Sequence, residues 1–296
     1  MSPRPSTPHD ASFLTLVDGR NLAYQQWGDT QGDPVFFFHG SPGSRLEGAT
    51  LHDAATNHGL RIIAVDRPGM GRSDFQPGRT LLDFPRDLAA LAEELGLHKF
   101  SVIGWSAGGQ YALACAHAIP DRVRSVISLA GWAPLDWDGA TAAMDPVTRF
   151  YGRLSRVMPA GVFRVGFAPV GFMARWVPKT FSRAFRRQLC AADRDVLDRP
   201  GIVEMIIADT REAFCHGSRG AAHDALLCYR DWGFRLEDVA ATVHIWQGTA
   251  DTVASPAFGK RLAQALPGAI YHELPDEGHL FPFDHWDDVV RSIVEA

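Results

Sequence analysis

The sequence predicts an α/β protein, with one mostly parallel sheet, helices on both faces and a helical segment inserted between two of its later strands. Three observations predict it. Short, largely apolar runs recur at residues 34–38, 61–65, 100–103, 124–129 and 242–246, and strands apolar on both sides belong in a sheet covered on both faces. Helical patterns lie between these runs, and strand alternating with helix builds parallel crossovers. The alternation then breaks: residues 134–233 hold no convincing strand pattern and are rich in Arg and Phe, with scattered Pro and Gly.

Taken in order, residues 13–17 and 21–27 flank Asp18-Gly19, a hairpin turn signal. The run 34–38 ends at His39-Gly40, 61–65 at Asp66, and 100–103 at Gly104. Residues 124–129 make the sixth strand, 242–246 the next, and 270–274 a weaker last one. Helices are expected over 46–58, 81–95, 107–118, 257–266 and 286–294. The clearest is 81–95, where Leu81, Leu82, Leu88, Leu91, Ala92 and Leu95 recur at helical spacing. The expected organisation is a core domain made of 11–133 and 234–296, a helical cap at 134–233 after the sixth strand, and a flexible tail at 1–10.

Composition bounds the function. A chain of 296 residues can bury about three-quarters of its unfolded surface and needs no disulfide staples. Hydrophobic residues make up 46% and charged residues 21%, with a formal net charge of −5 and the signs mixed along the chain. No basic stripe points to nucleic acid and no polybasic run to a membrane, so neither is expected as a partner. The arginines at 183–187 read first as a solvated helix face and second as a site for an anionic substrate. The four cysteines, Cys115, Cys190, Cys215 and Cys228, form no C-x-x-C pair, so no zinc site is expected and reduced thiols are. Residues 1–10 lack the apolar core of a signal peptide, and no run is long enough to span a bilayer. A cytoplasmic protein is the expectation.

The chemistry centres on Gly104-Trp105-Ser106-Ala107-Gly108. This G-x-S-x-G follows a strand and opens a helix, the context in which a tight turn presents a serine at the edge of a sheet. A serine hydroxyl needs a base. Of twelve histidines, His279 has the right setting: it follows Glu277-Gly278 after the last strand and precedes the last helix. His39 also lies at a strand end and reads as loop architecture. An acid must orient the imidazole and stabilise its charged form. Asp251, in Gly248-Thr249-Ala250-Asp251, emerges at the same edge and completes the order Ser, Asp, His. Asp136 and Asp138 are the fallback acids.

Acyl transfer builds negative charge on a carbonyl oxygen, which backbone N–H groups must meet. Ala107, at a helix N-terminus, is one expected donor. Ser41 is the other, in the loop His39-Gly40-Ser41-Pro42-Gly43-Ser44-Arg45, because Pro42 has no N–H.

These motifs, together with Asp66-Arg67-Pro68-Gly69-Met70-Gly71-Arg72-Ser73-Asp74, resemble those of the α/β-hydrolase fold family. Within it the likeness is to the branch of proline iminopeptidases and small-molecule esterases. It covers nearly the whole chain outside the tail and the cap. The resemblance implies Ser106 as nucleophile, Asp251 as triad acid, His279 as base, and Ser41 and Ala107 as oxyanion donors, with Arg67 and Arg72 given no catalytic role. Iminopeptidases of this branch carry H-G-G-P-G where this chain has Ser41, and a smaller residue or Gln where it has Trp105. Both departures point away from a peptidase. Dehalogenases and epoxide hydrolases of the fold use Asp at the nucleophile, unlike Ser106.

The expected function is hydrolysis of an ester or related acyl bond of a small, partly apolar substrate through an acyl-enzyme. Phe163, Phe167, Phe172, Trp176 and Phe181 are candidates to cover the site. An aminopeptidase is the alternative, with Glu204, Asp209 and Glu212 as candidates to hold an ammonium. A non-hydrolytic receptor on the same fold is the second alternative. No cofactor or metal is expected, since the triad supplies nucleophile, base and electrostatics. Aromatic residues on the cap leave room for a homodimer.

Overall fold

The computed structural model describes residues 11–158 and 160–295; the expected tail at 1–10 lies outside them. Eight strands form one sheet: β1 (Ser12–Thr15), β2 (Asn21–Gly28), β3 (Asp33–Phe38), β4 (Leu60–Val65), β5 (Phe100–Trp105), β6 (Val123–Leu129), β7 (Val243–Gly248) and β8 (Ala269–Leu274). Their spatial order is β1-β2-β4-β3-β5-β6-β7-β8. β2 pairs antiparallel with β1 and with β4. The pairs β3–β4, β3–β5, β5–β6, β6–β7 and β7–β8 are parallel.

Helices α1 (His52–Asn57), α2 (Phe84–Glu94) and α3 (Gly108–Ala118) connect the first six strands, and α11 (Pro256–Ala265) and α12 (Pro282–Val294) follow β7 and β8. Between β6 and β7 lie α4 (Ala140–Ala143), α5 (Pro146–Val157), α6 (Ala160–Trp176), α7 (Pro178–Arg186), α8 (Ala191–Leu197), α9 (Ile202–Ala213) and α10 (Arg219–Tyr229), with no strand among the described residues. The central strands carry the core. Val35 to Phe38, Ile62 to Val65, Val102, Ile103, Val126 and Ile127 are all inaccessible to solvent, which explains why they read as unbroken apolar runs. β8 reads more weakly because it is an edge strand, and none of its residues is fully buried.

Two helices differ from expectation. Residues 46–58 form a 3-10 turn, Arg45–Leu51, before α1 begins. The Ser44 hydroxyl caps that turn, accepting from the Leu46 N–H, and its tight winding carries Glu47 inward. The last helix starts four residues earlier than expected, at Pro282, since a proline fits a first turn whose N–H groups have no helical partner. All four cysteines are free thiols.

Candidate active site

β5 runs straight into Ser106, whose φ of 54° lies in the left-handed region. That conformation is costly for a residue with a side chain, and it is held by its surroundings. The Ser106 N–H donates to the Leu129 carbonyl at 2.8 Å, and its own carbonyl accepts from Gly109 at 3.0 Å. Gly104 and Gly108 let the strand and helix meet: a Cβ on Gly104 would collide with the Gly108 carbonyl, and one on Gly108 with that of Phe38. The turn places Ser106 at the N-terminus of α3 with Ala107 as its N-cap.

His279 and Asp251 arrive from the loops after β8 and β7. His279 Nδ1 lies 2.8 Å from Asp251 Oδ2. The other Asp251 oxygen accepts from the N–H groups of Val253 and Ala254, both at 2.8 Å. Three contacts hold the histidine loop. The Ala250 N–H donates to the Glu277 carbonyl at 2.9 Å, the Leu280 N–H to Asp193 Oδ1 of α8 at 2.7 Å, and the Trp105 indole to the His279 carbonyl at 3.3 Å. The Trp105 ring also stacks on the imidazole, with centroids 6.2 Å apart. Burial disfavours the imidazolium, but the Asp251 carboxylate more than offsets this, and the His279 pKa is raised above its ordinary value.

Ser106, His279, Ser41 and Trp105 line one cavity of about 120 Å³. Ser106 is 8% exposed, His279 and Asp251 5% each, so the polar groups sit where water is scarce. No hydrogen bond joins Ser106 Oγ to His279 among the described residues. Ala107 is buried beside the serine, and Ser41 is exposed at the edge of the cavity. Asp136, one of the two fallback acids, instead lines a wider groove of about 1100 Å³ that includes none of these residues.

The helical segment supplies the opposite wall with Phe181 and Phe185 of α7 and Met205, Ile206 and Asp209 of α9. Of the five aromatic candidates, Phe181 alone lines the cavity. Phe163 and Phe167 pack inside the helical segment, and Phe172 and Trp176 are exposed. Among the three acids, Asp209 reaches the cavity, while Glu212 pairs with Arg45 at 2.8 Å and Arg72 at 2.7 Å. Glu204 lies on a separate groove with Arg183 and Arg211.

Glu47 escaped the sequence reading, where it looks like an ordinary first-turn acid. It lines the cavity, and its Oε2 accepts from the Gly40 N–H at 2.8 Å. It thereby braces the loop that carries Ser41, and Gly43 gives it room, since a Cβ there would collide with the carboxylate. Asp209 Oδ1 accepts from the Ser44 N–H at 2.9 Å and the Ser44 hydroxyl at 2.5 Å. Burial raises the pKa of Glu47 and raises that of Asp209 well above its ordinary value, and the Glu47 charge adds to the Asp209 shift. Burial thus works against the charged forms of both carboxyls.

His39 faces away from this chemistry. It is inaccessible to solvent, its Nε2 accepts from the Arg67 N–H at 3.2 Å, and its Nδ1 lies 2.7 Å from the Gly40 carbonyl. The Arg67 guanidinium binds the His39 and Gly40 carbonyls and pairs with Asp224 of α10 at 2.7 Å. Arg79 pairs with the same Asp224 at 2.9 Å.

This strand–turn–helix with its buried histidine–carboxylate pair sits in a recognised fold. A family model described as alpha/beta hydrolase fold matches residues 33–285, and the chain belongs to that family. Over 125 residues it is 39% identical to a non-heme chloroperoxidase of Streptomyces lividans, covering 41% of this chain and 45% of that protein. Over 166 residues it is 31% identical to a proline iminopeptidase of Xylella fastidiosa, covering 48% and 52%. The chain thus aligns with about half the length of these relatives. A thermophilic esterase from Thermogutta terrifontis shares the fold, with a TM-score of 0.70, 24% identity and 97% of each chain covered.

Proposed function

We propose that the protein is a serine hydrolase that cleaves an ester or related acyl bond of a small, partly apolar substrate. The observation that carries this reading is His279, which lines the same small cavity as Ser106 on its left-handed turn and is paired behind it with Asp251 at 2.8 Å. With the Nδ1 proton held toward Asp251, Nε2 of His279 is free to take the proton of Ser106 Oγ as that oxygen attacks the acyl carbon. The contact from base to hydroxyl is commonly long in an empty site and tightens with substrate. The N–H groups of Ala107 and Ser41 would meet the developing oxyanion. Collapse breaks the bond to the leaving alcohol, which takes the proton from His279. Water then attacks the acyl-enzyme, gives its proton to His279, and the acid leaves as Ser106 recovers its hydrogen. Phe181, Phe185, Met205 and Ile206 favour an apolar acyl or alcohol portion.

The test is labelling with a fluorophosphonate probe and peptide mapping, with turnover of a short-chain aryl ester, in wild type and Ser106→Ala. Label on Ser106 and turnover lost in the variant are expected. Full turnover by Ser106→Ala would overturn the reading.

One observation favours a second reading, an aminopeptidase. Glu47 and Asp209 line the cavity, and carboxyls facing a cavity suit a substrate ammonium. Release of the arylamine from a proline arylamide at a rate matching aryl-ester turnover would favour it; turnover of the ester alone would remove it.

A further inference from the structure

Helices α5, α6 and α7 differ in charge from the rest of the molecule. Residues 146–192 contain nine Arg and Lys and no Asp or Glu, in a chain whose formal net charge is −5. Arg153 of α5, Lys179 and Arg183 of α7, and Arg187 just beyond it are exposed. None of these four forms an ion pair among the described residues. A solvated face normally mixes signs; these helices bring no acid of their own, and the acids met at α7 are Asp198, paired with Arg186 at 2.8 Å, and Glu204 in the groove beside Lys179 and Arg183.

The same three helices also expose apolar side chains. On α6, Val162, Val165, Pro169, Phe172 and Trp176 recur every three or four residues and so share one stripe. All five are exposed, Val165 at 72%, Phe172 at 61% and Trp176 at 64%. The opposite side of the helix, through Phe163, Phe167 and Ala174, packs against the rest of the insertion. A helix apolar on both sides normally has both sides covered. Phe150 and Val157 of α5 add exposures of 60% and 79%.

We propose that α5 to α7 form a docking surface for an anionic lipid bilayer. Lipid acyl chains would receive the α6 stripe, and acidic headgroups the cations of α5 and α7, the two signals that peripheral attachment combines. A second copy of the chain would set like charges against each other, and a nucleic acid would leave the aromatic stripe uncovered. The expectation of no membrane partner rested on the lack of a contiguous basic run; helical folding gathers cations that the chain spaces apart. α7 links the surface to the cavity, since Phe181 and Phe185 line the cavity while Lys179, Arg183 and Arg187 are exposed. Docking would bring a cavity wall against lipid.

The experiment is co-sedimentation of the full chain with phosphatidylcholine vesicles, alone or mixed with phosphatidylglycerol. Its readout is binding, so it stands apart from the hydrolase reading. Binding to the mixed vesicles that weakens as salt is added is expected. It should fall at least about tenfold in the triple variant Lys179→Glu, Arg183→Glu, Arg187→Glu, and also in Phe172→Ser with Trp176→Ser. All of these positions are exposed, and thermal unfolding checks that the variants keep the fold. No binding, equal binding to both vesicle types, or variants that bind like wild type would overturn the proposal. So would a homodimer in sedimentation that the Phe172 and Trp176 changes dissociate, without vesicle binding.

Discussion

The sheet-edge loops and the helical segment that covers them contribute unlike things to one cavity. On the core side hydrogen bonds hold Asp251 through two backbone N–H groups and His279, the Ser106 backbone on both sides, and Glu47 through Gly40. The helical side offers mainly apolar surface from α7 and α9, with Asp209 the exception. On the hydrolase reading proposed above, the difference separates reaction from selection. Charge development in a transition state needs preorganised dipoles at fixed distances, whereas fitting an apolar group needs only shape and size. The two sides are joined by Asp224 of α10, which pairs with both Arg67 and Arg79 of the core.

Substitutions on the two sides should therefore differ in size and in kind. The largest effect is expected from Asp251→Asn, which keeps the shape but removes the charge and favours the wrong imidazole tautomer. It should lower kcat by about 10⁴-fold with the fold intact, and a loss below tenfold would break the assignment of the acid.

A middle effect concerns pH. The base must be neutral to accept a proton, and the His279 pKa is raised. kcat/KM should thus rise with pH along a limb lying above histidine's ordinary value. The Glu47 charge contributes to that rise, so Glu47→Gln, which still accepts from Gly40, should move the limb to lower pH. A pH-rate profile checks this, and a limb that stays put or moves up would contradict it.

The smallest effect is expected from Phe181→Ala. It removes an apolar wall and no charge, so it should lower kcat/KM for the longer-chain ester by about 10-fold relative to the shortest. Equal changes for both esters would show that α7 does not select.

Legibility in the sequence follows the same division. Ser106, Asp251 and His279 stand at strand ends within short motifs because a tight turn and a close approach demand particular residues there, as at Gly104 and Gly108. The core strands were legible because burial on both faces leaves mostly apolar residues, with small exceptions such as Ser101 and Ser128. Glu47 was not, since its role depends on the 3-10 turn that carries it inward, and no spacing rule marks that turn. Nor was the sorting of the Phe residues in the helical segment. Phe163, Phe172 and Phe181 look alike in sequence, yet one fills the interior, one is exposed and one lines the cavity. That outcome is set by how α6, α7 and α9 pack on one another, and helical periodicity alone does not encode it.

The most direct test of the central claim remains the identity of the labelled residue. After reaction with a fluorophosphonate, peptide mapping should place the adduct on Ser106, and Ser106→Ala should neither label nor turn over the aryl ester. An adduct on another residue, or full turnover by the variant, would contradict the account.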